Sequence, residues 1–239
     1  MLSWKRKLSV PSAVAIVLIA LLVCGGTALA ITGGVSDANR HPNVGSLVNA
    51  SAGTYCSGTL ISPTVFLTAA HCATDGSRVT VSFDATYTSS SRLYSGTFQA
   101  GQYESAVVVF RSPIPGIAPA QLPTAGQLTN RPRNQRFTVV GYGQRQWPID
   151  LGPTRRAYAV TTLSSVSPTY LRLSNTAGSG GACYGDSGGP NFLGAGLTET
   201  NVIAGITSGG DEFCSFGYAA YRLDTPTARA FLGQYVRLP

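Results

Sequence analysis

From residue 44 onward the chain runs in short apolar stretches rich in Val, Thr, Tyr and Phe, separated by turn residues. β-Branched and aromatic side chains suit a pleated, half-buried surface, so these stretches predict strands. The expected strands are residues 44–48, 59–67, 78–83, 106–110, 136–142, 157–163, 170–173, 202–207 and 218–223. One segment carries helical punctuation: Thr225 is placed to cap it, Pro226 to open it, and Ala230, Phe231 and Val236 give it an apolar side. A Pro-rich stretch, 113–132, breaks the strand rhythm midway, as a linker between two β units would. There is no internal repeat and no long low-complexity segment.

Composition fits many strands and turns. Only 11% of the 239 residues are charged, while 28 are Gly and 14 are Pro, which disfavours long solvated helices. The length allows one large all-β domain or two small ones. Residues 1–30 read differently. Lys5, Arg6 and Lys7 precede an apolar run over 13–23 and an Ala28-Leu29-Ala30 site. That pattern predicts a secretory signal peptide cut before Ile31, leaving a secreted domain over 31–239 with no membrane attachment. The rival is a retained anchor, since residues 10–30 are nearly long enough to span a bilayer. Lipid attachment at Cys24 fits poorly, because Val23 is bulkier than the small residue such a site needs.

Without the leader, both lysines are gone and the domain is basic through arginine alone. Arg131, Arg133, Arg136, Arg145, Arg155 and Arg156 cluster. A polyanion site is one reading of them. No aromatic interleaving or nucleic-acid motif accompanies them, so solvated loop charges and no nucleic-acid partner are expected. Losing Cys24 leaves Cys56, Cys72, Cys183 and Cys214. An even set in an exported chain implies two disulfides, with three connectivities open. A zinc site would want a C-x-x-C pair, which the chain lacks, so no metal is expected.

The candidate chemistry lies in two motifs. Gly185-Asp186-Ser187-Gly188-Gly189-Pro190 sets a serine in a glycine turn, where a hydroxyl and backbone N–H groups can face one space. Upstream, Thr68-Ala69-Ala70-His71-Cys72 presents one of only two histidines, flanked by small residues, as a candidate general base. Alone, each would be read as a turn serine or a structural histidine. Together, in this order, they resemble the trypsin/chymotrypsin-like serine proteases. Ile31-Thr32-Gly33-Gly34, Gly141-Tyr142-Gly143 and Gly205-Ile206-Thr207-Ser208-Gly209-Gly210 are similar to that family in register.

The resemblance implies an all-β fold of two antiparallel barrels, about 31–125 and about 126–239, with the active site in the cleft between them and a short C-terminal helix. It implies disulfides Cys56–Cys72 and Cys183–Cys214, each expected to contribute roughly 3–4 kcal/mol. It assigns Ser187 as nucleophile, His71 as base, and the N–H groups of Gly185 and Ser187 as oxyanion donors. Glu104, heading the apolar run 105–110, stands where the family has an aspartate; Asp84 is the next candidate acid, and Asp75 falls in a loop. Ser208 would support the acid. Asp186 would pair with the α-amino group of a mature Ile31. In the same register Gly181, Ser208, Gly210 and Ala219 would shape the substrate pocket. With Gly181 in place of an acidic base, the residue before the scissile bond (P1) is expected to be apolar. The function this implies is a secreted, monomeric serine endopeptidase acting on proteins or peptides without a cofactor. A protease-like binding protein that has lost activity, and an esterase using the same triad, are the alternatives.

Overall fold

The computed structural model describes residues 31–49, 53–143, 154–175 and 180–239; the expected leader lies outside them. The strands are β1 (Val35–Ser36), β2 (Val44–Asn49), β3 (Gly53–Ser62), β4 (Val65–Ala69), β5 (Arg78–Ser82), β6 (Leu93–Ala100), β7 (Ser105–Phe110), β8 (Arg136–Gly141), β9 (Ala157–Val166), β10 (Tyr170–Ser174), β11 (Pro190–Leu193), β12 (Ile203–Gly210) and β13 (Gly217–Arg222), followed by helix α1 (Pro226–Leu232). They form two closed antiparallel barrels. The first runs β2-β3-β4-β7-β6-β5; the second runs β8-β9-β10-β13-β12-β11, closed by β11 on β8, with β1 paired to β9.

Each barrel has its own apolar filling. Leu47, Leu60, Phe66, Val81, Phe98 and Val108 pack inside the first. Phe137, Val139, Leu163, Leu171 and Ala220 pack inside the second. A third cluster, including Val44, Leu67, Val107, Tyr142, Ile206 and Leu232, draws on both barrels and α1 and forms the seam. The helix begins as its sequence foretells: Thr225 Oγ1 accepts the N–H of Ala228 at 3.3 Å and Pro226 opens the first turn.

The expected single strand at 59–67 is a hairpin, β3 and β4, reversed at Pro63–Thr64. The arginine reading also needs correction. Arg133, Arg136 and Arg155 are exposed and Arg131 is half-buried, while Arg145 lies outside the described residues. Arg156 is 1% exposed and lies in the seam. Its Nε donates to Asp37 at 2.8 Å, its Nη1 to the carbonyls of Val44 and Phe83 and to the Tyr142 hydroxyl, and its Nη2 to Asn39. A guanidinium is tolerated there because its donors find acceptors from both barrels and from the N-terminal segment. The second histidine, which no motif flags, joins this network. His41 Nδ1 bonds Asp37, and its Nε2 meets Glu199 at 2.8 Å.

Candidate active site

His71 follows β4 directly, on a short 3-10 turn over Ala70–Cys72. Two constraints hold that turn. The Cys56–Cys72 disulfide ties it to β3. The Ala70 N–H donates to the Glu104 carbonyl at 2.8 Å. Register explains the second: β4 and β7 pair with Ala69 opposite Ser105, so Glu104 falls beside the start of the turn. Its carboxylate thereby reaches His71 Nδ1 at 2.5 Å, and the Ser208 hydroxyl also bonds it. The other candidate acids point elsewhere: Asp84 accepts from the Arg92 N–H and Asp75 from the Ala100 N–H.

The pair shifts both titrations. The hydrogen bond to Glu104 raises the His71 pKa above its ordinary 6.5, outweighing partial burial. Burial opposes ionisation of Glu104, but bonds from His71 and Ser208 outweigh it and hold the carboxyl below its usual value. The His71 side chain is still 43% open to solvent.

Ser187 comes from the second barrel, on the loop between Cys183 and β11. Gly185 and Gly188 adopt φ of +91° and +80°, which side chains rarely tolerate. A Cβ on Gly188 would also collide with Thr68. The loop's amides divide into two groups. Asp186, Gly188 and Gly189 donate to the carbonyls of Cys183, Thr207 and Asp186. Among the described residues, the N–H groups of Gly185 and Ser187 have no acceptor, and both residues border the cleft. Ser57, which the sequence did not single out, braces this loop. Its N–H donates to the Ser187 carbonyl at 2.8 Å, its hydroxyl donates to the Gly185 carbonyl at 2.9 Å, and its oxygen accepts from Tyr142 N–H.

Asp186 is fully buried and takes hydrogen bonds from the amides of Gly143 and Cys183. Burial pushes its carboxyl up to about 7, against the pull of those two bonds. Ile31 is itself buried, but in this chain its nitrogen is an amide, so it offers no ammonium for the expected pairing.

His71, Gly185, Ser187 and Ser208 share a cleft of about 590 Å³, together with Tyr55, Gly210 and Tyr218. Two pocket expectations change. Gly181 is absent from the lining, because the Asn175 side chain fills the space into which a residue at 181 would project. Ala219 is absent from the lining too and borders a neighbouring cavity with Phe216 and Arg172; Tyr218 borders both that cavity and the cleft. Cys56, His71 and Cys72 bring three potential metal-ligand atoms together, but the two sulfurs are bonded to each other, leaving no thiolate. Cys183–Cys214 is the second disulfide.

The Trypsin family model matches residues 30–229. The chain belongs to the trypsin family. A curated relative, a collagenase of Hypoderma lineatum, is 28% identical over 173 residues, an alignment covering 64% of this chain and 65% of that one. The chain thus spans about two thirds of that relative's length. Among solved structures, the HL collagenase superposes with a TM-score of 0.68 at 20% identity, covering 89% of this chain and 99% of that one. An atomic-resolution structure of HBP gives 0.68 at 17% identity, covering 87% and 98%. A mutant of human heparin binding protein gives 0.69 at 18%, covering 85% and 96%.

Proposed function

We propose that this trypsin-family protein is an exported serine endopeptidase in which Ser187, His71 and Glu104 form the catalytic triad. The His71–Glu104 contact, beside a serine flanked by two unspent amides, carries this reading. With Nδ1 held by Glu104, His71 keeps Nε2 for the Ser187 proton. Ser187 Oγ attacks the peptide carbonyl as His71 takes that proton. The Gly185 and Ser187 N–H groups receive the oxyanion, each such donor typically contributing roughly 3–4 kcal/mol to the transition state. His71 then passes its proton to the leaving amine, and water activated by His71 hydrolyses the acyl-enzyme. The substrate backbone has a place to lie. β12 pairs with β13 as far as Gly210 but with β11 only as far as Ile206, which leaves Ser208–Gly210 an open edge for an added strand.

Activation is read from the same residues. Cleavage before Ile31 would create an α-ammonium for buried Asp186, whose acceptors order the loop carrying Ser187. Two disulfides suit an oxidising compartment outside the cytosol. A serine-directed organophosphonate should label Ser187 in the purified exported protein and fail with Ser187→Ala, and a peptide amide should be hydrolysed. No labelling would leave a binding protein on a protease fold. Labelling with turnover of simple esters alone would make it an esterase.

A further inference from the structure

We infer that Tyr218 floors the P1 pocket of this protein and restricts it to a small, uncharged residue before the scissile bond; this rests on the peptidase reading above. The pocket walls are Ala182–Tyr184 on one side and Ser208–Gly210 on the other, with Ser187 at the mouth. Among the described residues, the Ser208–Gly210 wall leaves the mouth open to a large side chain. Gly209 has no neighbour near the place its Cβ would occupy, and both Gly209 and Gly210 are exposed. Selection must therefore come from below.

There the ladder sets Tyr218 of β13 opposite Gly210 of β12. Its ring is 4% exposed, and its hydroxyl donates to Asn191 Oδ1 at 2.6 Å. Asn191 lies on β11, beyond β12, in the strand that follows the Ser187 loop. The side chain therefore runs from β13 under β12 to β11, packed in the filling of the second barrel while the residue borders the cleft. Asn191 presents its oxygen to the tyrosine because its Nδ2 donates to the Gly205 carbonyl and Thr207 Oγ1. The ring is thus held at both ends. Asn175, 8% exposed, fills the space over Gly181 and donates to the Cys214 carbonyl. The one carboxylate on the lining, Asp211, is turned onto the amides of Phe213, Ser215, Phe216 and Gly217 and aims no charge at the pocket. What is left is a shallow socket with an aromatic base, suited to Ala or Val and too short for Phe, Tyr, Lys or Arg.

The test is a set of peptide amides identical except for Ala, Val, Leu, Phe or Arg at P1, read as kcat/KM on the purified protein. Ala and Val should exceed Phe by roughly tenfold or more, a discrimination that steric exclusion supplies readily. Tyr218→Ala should raise the Phe-to-Ala ratio by a similar factor, while Tyr218→Phe, which keeps the ring, should preserve the wild-type ratio. Should Tyr218→Ala fail to fold, the labelling rates of wild-type protein with Ala- and Phe-based phosphonates decide the matter alone. Equal rates for Ala and Phe in wild-type protein, or an unchanged ratio in folded Tyr218→Ala, would overturn the inference. A small phosphonate that ignores the pocket separates the two readings. If it labels Ser187 while the P1 order is wrong, only the floor is refuted; if it labels nothing, both fall.

Discussion

One extra methylene separates Glu104 from the aspartate that the family places at the head of this strand. The longer arm is used in full, since its Oε1 stands 2.5 Å from His71 Nδ1. If Glu104 fixes the imidazole, Glu104→Gln should keep the fold and lower kcat by about ten-thousand-fold, the loss that follows when an amide replaces such an acid. Glu104→Asp withdraws the carboxylate by about one C–C bond, ~1.5 Å, and should also fall well short of wild type. Asp84→Asn is the control and should be near neutral, because that carboxylate serves the Arg92 amide. Measuring kcat/KM on one amide, with circular dichroism for folding, settles the three; a near-normal folded Glu104→Gln would remove this residue from the triad. The pH profile adds a sign. His71 acts as a base only when neutral, and Glu104 raises its pKa, so the rising acid limb should lie above the ordinary histidine value. In Glu104→Gln that limb should move to lower pH.

At the level of elements, strands whose buried faces are built of Val, Ile and Phe were legible, as in β7 and β8. Others were masked by residues that usually end strands. Gly96 sits inside β6, where a Cβ would run into Val108 and the Val109 carbonyl; there glycine permits close packing, although in the sequence it reads as a breaker. β11 begins at Pro190, inside the serine motif, and is only four residues long. His71 and Ser187, which border one cleft, sit in marked sequence, whereas Tyr218, which borders it too, belongs to no motif. Arg156, just before β9, illustrates burial that no local pattern announces. Arg156→Met would strip the guanidinium from buried Asp37, and breaking such a pair typically costs about 3–5 kcal/mol. Urea denaturation should show that loss, and adding Asp37→Leu should restore part of it. A single variant as stable as wild type would show that the seam does not depend on the pair.

Across the whole molecule, His71 and Glu104 belong to one barrel and Ser187 to the other, so the proposed chemistry exists only while the barrels hold their relative position. The oxyanion loop depends likewise on a distant part of the chain, the segment entering at Ile31. While residues before Ile31 are attached, Asp186 titrates near 7 instead of 3.8. A carboxyl raised on folding gives stability that is complete below its unfolded pKa and is lost as pH rises through its folded one. The unprocessed Ser187→Ala protein should therefore lose stability from about pH 4 to about pH 7, and Asp186→Asn should flatten that slope. Equal slopes in denaturant titrations would count against the buried-acid reading. Processing should reverse the trend near neutrality by supplying an ammonium partner. The disulfides have a consequence of another kind. Cys56–Cys72 and Cys183–Cys214 each close a loop within a single barrel, so no sulfur bridge crosses the seam. The two halves are covalently joined by one thread of peptide, which is exposed at Pro115 and Gly116. A chain nicked there would remain one particle under native conditions and come apart into two pieces in any denaturant, with no reductant required.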